Sequence, residues 1–194
     1  GSLFFGSDDV LIAASTEGPG DAGSVAIDAD RILLLGGTIS STTSGDGAAG
    51  QVSLSANRDF QAVGNAAVTS STTGAGSAGD VSIEADLVRL RDASVIASEG
   101  DIGSAGTVSV TGRANVEVFV QAEIVASTTG VGNAGSVTIT APQLVGVDGS
   151  ISSTTSGSGE AGTVDIDTDV FEMQGGDVAT STSGAGSAGN VTVT

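Results

Sequence analysis

The sequence predicts an all-β protein: a right-handed parallel β-helix of about seven coils, with three short strands in each coil of about 27–29 residues. Three observations carry this prediction. An Ala-Gly pair recurs with its glycine at Gly23, Gly50, Gly79, Gly106, Gly135, Gly162 and Gly189, at intervals of 27, 29, 27, 29, 27 and 27 residues. Fixed columns of β-branched residues surround each pair. No stretch shows helical periodicity, and apolar residues alternate with Ser, Thr and acids at a period of two.

The first strand of each coil begins two residues after the glycine, where valine stands every time: Val25, Val52, Val81, Val108, Val137, Val164 and Val191. Two positions further on stand Ile27, Leu54, Ile83, Val110, Ile139, Ile166 and Val193. Alternation such as Val81-Ser-Ile83-Glu-Ala85 gives one buried and one wet face. The second strand follows a short polar corner, with inward pairs such as Ile32 and Leu34, Val88 and Leu90, or Phe171 and Met173. The third strand starts eleven residues before the glycine, at Ile12, Ile39, Val68, Val95, Ile124, Ile151 and Val178, and runs on into Ser and Thr. A glycine-rich return, with glycine always three before the Ala-Gly glycine, closes the coil.

One such unit cannot bury its apolar face alone, so stacked coils pair each strand in parallel with its equivalent one coil away. Crossovers between parallel strands of one sheet are right-handed by rule. The two longer coils carry their extra residues around the second strand, in 57–68 and 113–124. An insertion of two keeps the inward and outward alternation, whereas an insertion of one inverts it. At about 4.8 Å per coil the stack is about 33 Å long. A propeller fits poorly, because this repeat is short for a four-stranded blade. Gly1-Ser2 reads as an expression scar, and residues 3–194 as a single parallel β-helix, a fragment of a longer repeat protein.

Composition narrows the function. There is no Cys, so disulfides and thiolate metal sites are excluded, and no His, which removes the commonest general base and metal ligand. Five arginines, no lysine and 23 acids give a formal charge of −18. Such a polyanion is not expected to bind nucleic acid or an anionic membrane by charge. No run approaches the roughly 18–20 apolar residues of a membrane span, so membrane insertion is not expected, and no signal-peptide pattern is present.

Residues 74–79, Gly-Ala-Gly-Ser-Ala-Gly, form a G-x-G-x-x-G that elsewhere cradles a dinucleotide phosphate. The motif occurs six times here and opens into a strand each time, whereas a phosphate site needs a helix N-terminus. The glycines are therefore expected to turn the chain with positive φ, and the Ala-Gly pair to allow close approach between coils. Two hydroxyl columns lie near the end of the third strand. Eight before the glycine stand Ser15, Thr42, Ser71, Ser98, Ser127, Thr154 and Ser181; next to them stand Thr16, Thr43, Thr72, Glu99, Thr128, Thr155 and Thr182. Hydrogen bonds along the solenoid axis are their expected use. The sharper reading, ordering of water on ice, is opposed by their alternation between faces and by a mixed outward column of Ala13, Ser40, Thr69, Ile96, Val125, Ser152 and Ala179.

The acidic clusters Asp28/Asp30, Glu84/Asp86 and Asp165/Asp167/Asp169 put carboxylates two apart on one strand face, where calcium is conceivable. They match no calcium-loop motif and do not recur in every coil, so a solvated face is expected. Arg31, Arg58, Arg89, Arg91 and Arg113 lie near the second strand, but near-uniform repeats without Trp or Tyr argue against a polysaccharide-active enzyme. No residue is assigned to catalysis, cofactor or metal, and no cofactor is expected. Cut ends of a solenoid leave unpaired strand edges, so end-to-end self-association is expected.

The pattern G-G-x-I-x-S-T-T-x-G-x-G-x-A-G-x-V-x-I-x-A, seen in residues 36–56 and 149–168, resembles the repeats of filamentous-haemagglutinin-like exoproteins of the cyanobacterial type. The resemblance runs from about Leu11 to Thr194. It implies a structural or adhesive stalk segment of a large secreted protein at the bacterial cell surface. It also implies two-partner secretion through an outer-membrane partner and contact with a surface glycan or protein. It carries over no functional residue, since the repeats hold no catalytic motif. The alternative is a ligand-binding solenoid for ice, calcium or glycan.

Overall fold

The structure is a computed structural model that describes residues 1–6 and 10–194. The described residues hold 17 strands and no helix. The first are β1 (Ser2–Phe5), β2 (Leu11–Thr16), β3 (Val25–Leu35), β4 (Thr38–Thr43), β5 (Val52–Val63) and β6 (Ala67–Thr72). Next come β7 (Val81–Arg91), β8 (Val95–Gly100), β9 (Val108–Phe119) and β10 (Glu123–Thr128). The chain closes with β11 (Val137–Thr140), β12 (Gln143–Val147), β13 (Ser150–Thr155), β14 (Val164–Asp167), β15 (Val170–Gln174), β16 (Asp177–Thr182) and β17 (Val191–Val193).

Strand pairs are parallel and join equivalent segments one coil apart, giving a β-solenoid of about seven turns. Two sheets form its walls. One runs β1-β3-β5-β7-β9-β11-β14-β17 with β12 and β15 beside this path, and the other runs β16-β13-β10-β8-β6-β4-β2. The valine column pairs directly, Val25 with Val52, Val52 with Val81 and on to Val191, and so does the Ile/Leu column from Ile27 to Val193. Between the sheets these columns meet Leu34, Ile39, Phe60, Val88, Leu90, Ile124, Leu144 and Ile151, all fully buried, in one continuous core. Identical side chains stacked at strand spacing fill the interior without a helix or a disulfide.

The first and second segments of a coil are one strand in β3, β5, β7 and β9, with a register shift at the corner. They separate only in the later coils, where β11 gives way to β12 at Ala141-Pro142 and β14 gives way to β15 at Thr168-Asp169. Pro142 has no N–H to continue the ladder. The two extra residues of the longer coils are divided between two corners. Ala56 to Asp59 faces Ala29 to Arg31, one residue longer, and Val63 to Ala67 faces Leu35 to Thr38, again one longer. Alternation survives because each extra residue lies outside the paired ladder.

In the fourth coil the third strand is one residue out of the expected frame. Ile96, not Val95, pairs with Val68 and Ile124 and is fully buried. Ser98 accordingly faces Ser70, Glu99 faces Ser71 and Gly100 faces Thr128. This coil gains a residue at Asp92-Ala93 and loses one at the glycine return, so its length of 27 conceals both changes.

Positive φ sits at the corner before the third segment: at Gly36 and Gly37, Gly64 and Asn65, Asp92 and Ala93, Val120 and Gln121, Asp148, and Gly175 and Gly176. None of the glycines in the G-x-G-x-x-G returns adopts it, which overturns the expectation that those glycines turn the chain by left-handed φ. Close approach is their role. A Cβ on Gly45, Gly47 or Gly50 would come within 3.0 Å of the carbonyls of Gly18, Gly20 and Gly23, and the same holds coil after coil.

Candidate functional surfaces

At the glycine return Gly74–Gly79, three backbone amides are engaged within the solenoid. Gly74 N–H donates to Thr72 Oγ1 at 3.2 Å, Ala78 N–H to Ser104 O at 2.9 Å and Gly79 N–H to Ser70 Oγ at 2.8 Å. The next element is strand β7, so no helix N-terminus stands there to hold a phosphate.

A buried hydroxyl column that the sequence reading passed over holds these returns together. Ser41 donates to Gly23 O at 2.9 Å and accepts from Gly50 N–H at 2.8 Å. Ser70 does the same for Gly50 O and Gly79 N–H, Ser98 for Gly79 O and Gly106 N–H, and Ser153 for Gly135 O and Gly162 N–H. Each serine thus links the carbonyl of one repeat glycine to the amide of the next. The signal was present in the sequence for Ser41, Ser70 and Ser153, which share parity with Ile39, Val68 and Ile151 yet carry Ser; Ser98 joins them through the frame shift. Ala14 and Ala126 occupy the same column in the two coils without a hydroxyl.

The predicted hydroxyl columns divide between the two faces. Thr43, Thr72, Thr128 and Thr155 point inward and are buried, and bonds such as Gly45 N–H to Thr43 and Thr128 to Asn133 O (2.9 Å) close their own corners. Axial hydroxyl bonding, expected of these columns, occurs elsewhere: Ser82 bonds Ser53, and Ser136 donates to Thr163 Oγ1, both at 3.2 Å. Ser15, Thr42, Ser71, Glu99, Ser127, Thr154 and Ser181 form an outward row of the seven-stranded sheet. Beside it, the frame shift replaces Ile96 by Ala97, so the adjoining row reads Ala13, Ser40, Thr69, Ala97, Val125, Ser152 and Ala179, of which Ser40 and Ala97 are buried.

The outer face of the second segments differs from coil to coil. Arg31 pairs with Asp59 at 3.1 Å. One coil pair on, Arg89 grips Glu117 with two bonds, at 2.5 and 3.1 Å. Arg91 reaches the same carboxylate at 3.5 Å and lies 5.1 Å from the Phe119 ring centre. The hydrogen bond from Arg89 holds the Glu117 carboxyl below its ordinary range, against partial burial, and the same bond raises Arg89. Leu33, Leu35, Val63, Leu87, Val145 and Val147 stand half-buried around these pairs. Sequence reading placed the arginines near the second strand; their partners follow from cross-strand register, one coil away.

Glu84 and Asp86, weighed as calcium ligands, are both taken by Arg113, at 3.2 and 2.7 Å. Asp30 accepts from Asn57 Nδ2 at 2.9 Å, and this bond first of all holds its carboxyl low. Asp165 accepts from Thr163 at 2.8 Å. Among the described residues no group of three or more His, Cys, Asp or Glu converges as a metal cluster. Comparison with protein-family models, curated proteins and solved structures found no match.

Proposed function

We propose that this chain is a structural stalk segment of a large secreted surface protein of the filamentous-haemagglutinin-like type, one that holds other regions of its parent away from the bacterial surface. One observation carries the reading: the same three-segment plan and the same stacked Val and Ile columns recur from coil to coil, so the molecule specifies length and stiffness more than any one site. Serine bridges between repeat glycines and the buried Val and Ile columns resist shear along the axis, because extending the rod breaks many bonds together. In this role the −18 charge keeps an extended surface soluble.

The test is a spacer experiment. The chain is placed between a bead anchor and a defined adhesive tip, and tip capture by a surface beneath a polymer brush is measured for this chain and for an unrelated rigid rod of equal length. Equal capture by both rods, with no saturable binding of the bare chain to cells or glycans, supports a stalk. Saturable binding of the bare chain contradicts a purely structural role.

A second reading rests on the outward row of hydroxyl residues, Ser15, Thr42, Ser71, Ser127, Thr154 and Ser181, interrupted by Glu99. Such a regular array suits ordered water. Thermal hysteresis at millimolar protein supports it, and ordinary ice growth removes it.

A further inference from the structure

The outward face of the second segments, on β3, β5, β7, β9, β12 and β15, departs from the other outward surfaces of the solenoid. The first segments present rows such as Ser53, Ser82, Ser109 and Thr138. On the second segments one row instead stacks Leu35, Val63, Arg91, Phe119 and Val147, all half-buried. The row beside it runs Leu33, Gln61, Arg89, Glu117, Val145 and Glu172. Arg31, Arg89 and Arg91 share this face with the carboxylates of Asp59, Glu117 and Glu172, so the face is neutral on a chain whose net charge is −18. Two such polyanions repel through their other surfaces and least through this one.

The face is also complementary to itself, and we infer that it is a docking surface for a second copy of this chain, packed face to face with its coils running in the opposite direction. A half-turn about a line along the strands, midway between β7 and β9, lays each row on itself and reverses the order of the coils. Arg89 then lies on the second copy's Glu117, and Glu117 on its Arg89. Each chain already joins these two groups within itself, so the joint closes a cluster of four alternating charges. Arg91 comes onto the second copy's Phe119, the contact it makes with its own Phe119 at 5.1 Å. It meets Glu117 at 3.5 Å with its side chain still 43% exposed, which leaves donors for the second carboxylate. Val63 falls on Val147. At the margin Glu172 falls on Leu33, one row from Arg31.

Charge selects this register. Sliding the second copy by one coil puts Arg89 on Arg89 in one direction and Glu117 on Glu117 in the other. Copies running the same way about a two-fold along the solenoid axis make both like-charge contacts at once. The contact is isologous and stops at two copies. Six strands at about 4.8 Å and five residues at about 3.3 Å give a face of about 500 Å² per copy, at the low end for a specific interface and suited to a micromolar dimer. Its centre lies inside the stack, and it holds whether or not the chain is a stalk.

Sedimentation equilibrium on three proteins tests this. The wild-type chain is expected to dimerise and go no further, and Val63→Asp to associate at least tenfold more weakly with its melting temperature held. The exchange Arg89→Glu/Glu117→Arg keeps the ion pair inside each chain and across the joint. It is expected to self-associate within about threefold of wild type, yet to form no mixed dimer with it. Direction is read by cross-linking, since the chain has no cysteine of its own. Val63→Cys and Val147→Cys chains, mixed and oxidised, are expected to give a disulfide between the two variants and none within either alone. The inference is overturned by a wild-type chain that stays monomeric to about 1 mM, by oligomers beyond the dimer, or by undiminished association of Val63→Asp. It is equally overturned by an exchanged chain that folds without self-associating or pairs freely with wild type, or by Val63→Cys chains that join each other.

Discussion

Ser70→Ala removes one hydroxyl and two bonds: the donation to Gly50 O at 2.9 Å and the acceptance from Gly79 N–H at 2.8 Å. Ser70 is fully buried, so water cannot replace them without entering the corner. At about 1 kcal/mol net per bond, and more where a backbone group is left without a partner, the cost is about 2 kcal/mol. Unfolding entropy of about 2.1 cal/mol/K per residue over a chain of this length converts that to about 5 °C in Tm. Repeat arrays can open coil by coil, so the local readout is the sharper one. Exchange of the Gly79 amide should accelerate about 30-fold, while amides two coils away hardly change. Ala126→Ser is the reciprocal: it restores a hydroxyl between Ser98 and Ser153 and should gain about 1 kcal/mol. A Ser70→Ala chain with unchanged Gly79 exchange and a Tm within about 1 °C would refute the bridging role.

Three further outcomes follow from other parts of the structure. Gly76→Ala drives a Cβ into the Gly47 carbonyl and should cost more than about 3 kcal/mol in chemical denaturation, whereas Gly20→Ala should be neutral in dilute protein. Val120→Asn relieves a β-branched residue at φ 52° on an exposed corner and should stabilise by about 1 kcal/mol, read as a higher denaturation midpoint. The Glu117 carboxyl is held low by Arg89, so its stabilisation is complete above the ordinary glutamate range and is lost as pH falls through the folded value. Glu117→Gln should therefore melt below wild type at neutral pH and converge with it in acid; a gap that persists at about pH 2 would remove the ion pair as its cause.

Much of this architecture is written in the repeat. The valine column, the Ile/Leu column and the coil boundaries read from the Ala-Gly spacing are the registered ladders of the solenoid, because identical residues one coil apart must pair when strands stack in parallel. Counting from the repeat glycine failed where two corners changed length in opposite senses. In the fourth coil the residue added at Asp92-Ala93 and the one lost from the glycine return cancel, so Ile96 took the place assigned to Val95. Left-handed corners were legible at Gly36-Gly37 and Gly175-Gly176 but not at Asp92-Ala93 or Val120-Gln121, where tertiary pairing imposes φ values those residues avoid. The serine bridge was legible by parity at Ser41, Ser70 and Ser153, and hidden at Ser98 by the frame shift. The Arg89–Glu117–Arg91 cluster needed the exact offset of 28 residues that only the register supplies.

The central claim is a continuous stack in which each coil adds one strand spacing. It is tested most directly by spin-label distances along the outward row of the seven-stranded sheet. With Ser15 paired in turn with Ser127 and with Ser181, four and six strands away, the stack predicts narrow distributions centred near about 19 and 29 Å between backbones. Their ratio is independent of label length once both sites are calibrated. Distances that fail to grow with coil number, or a single broad distribution for both pairs, would contradict the solenoid.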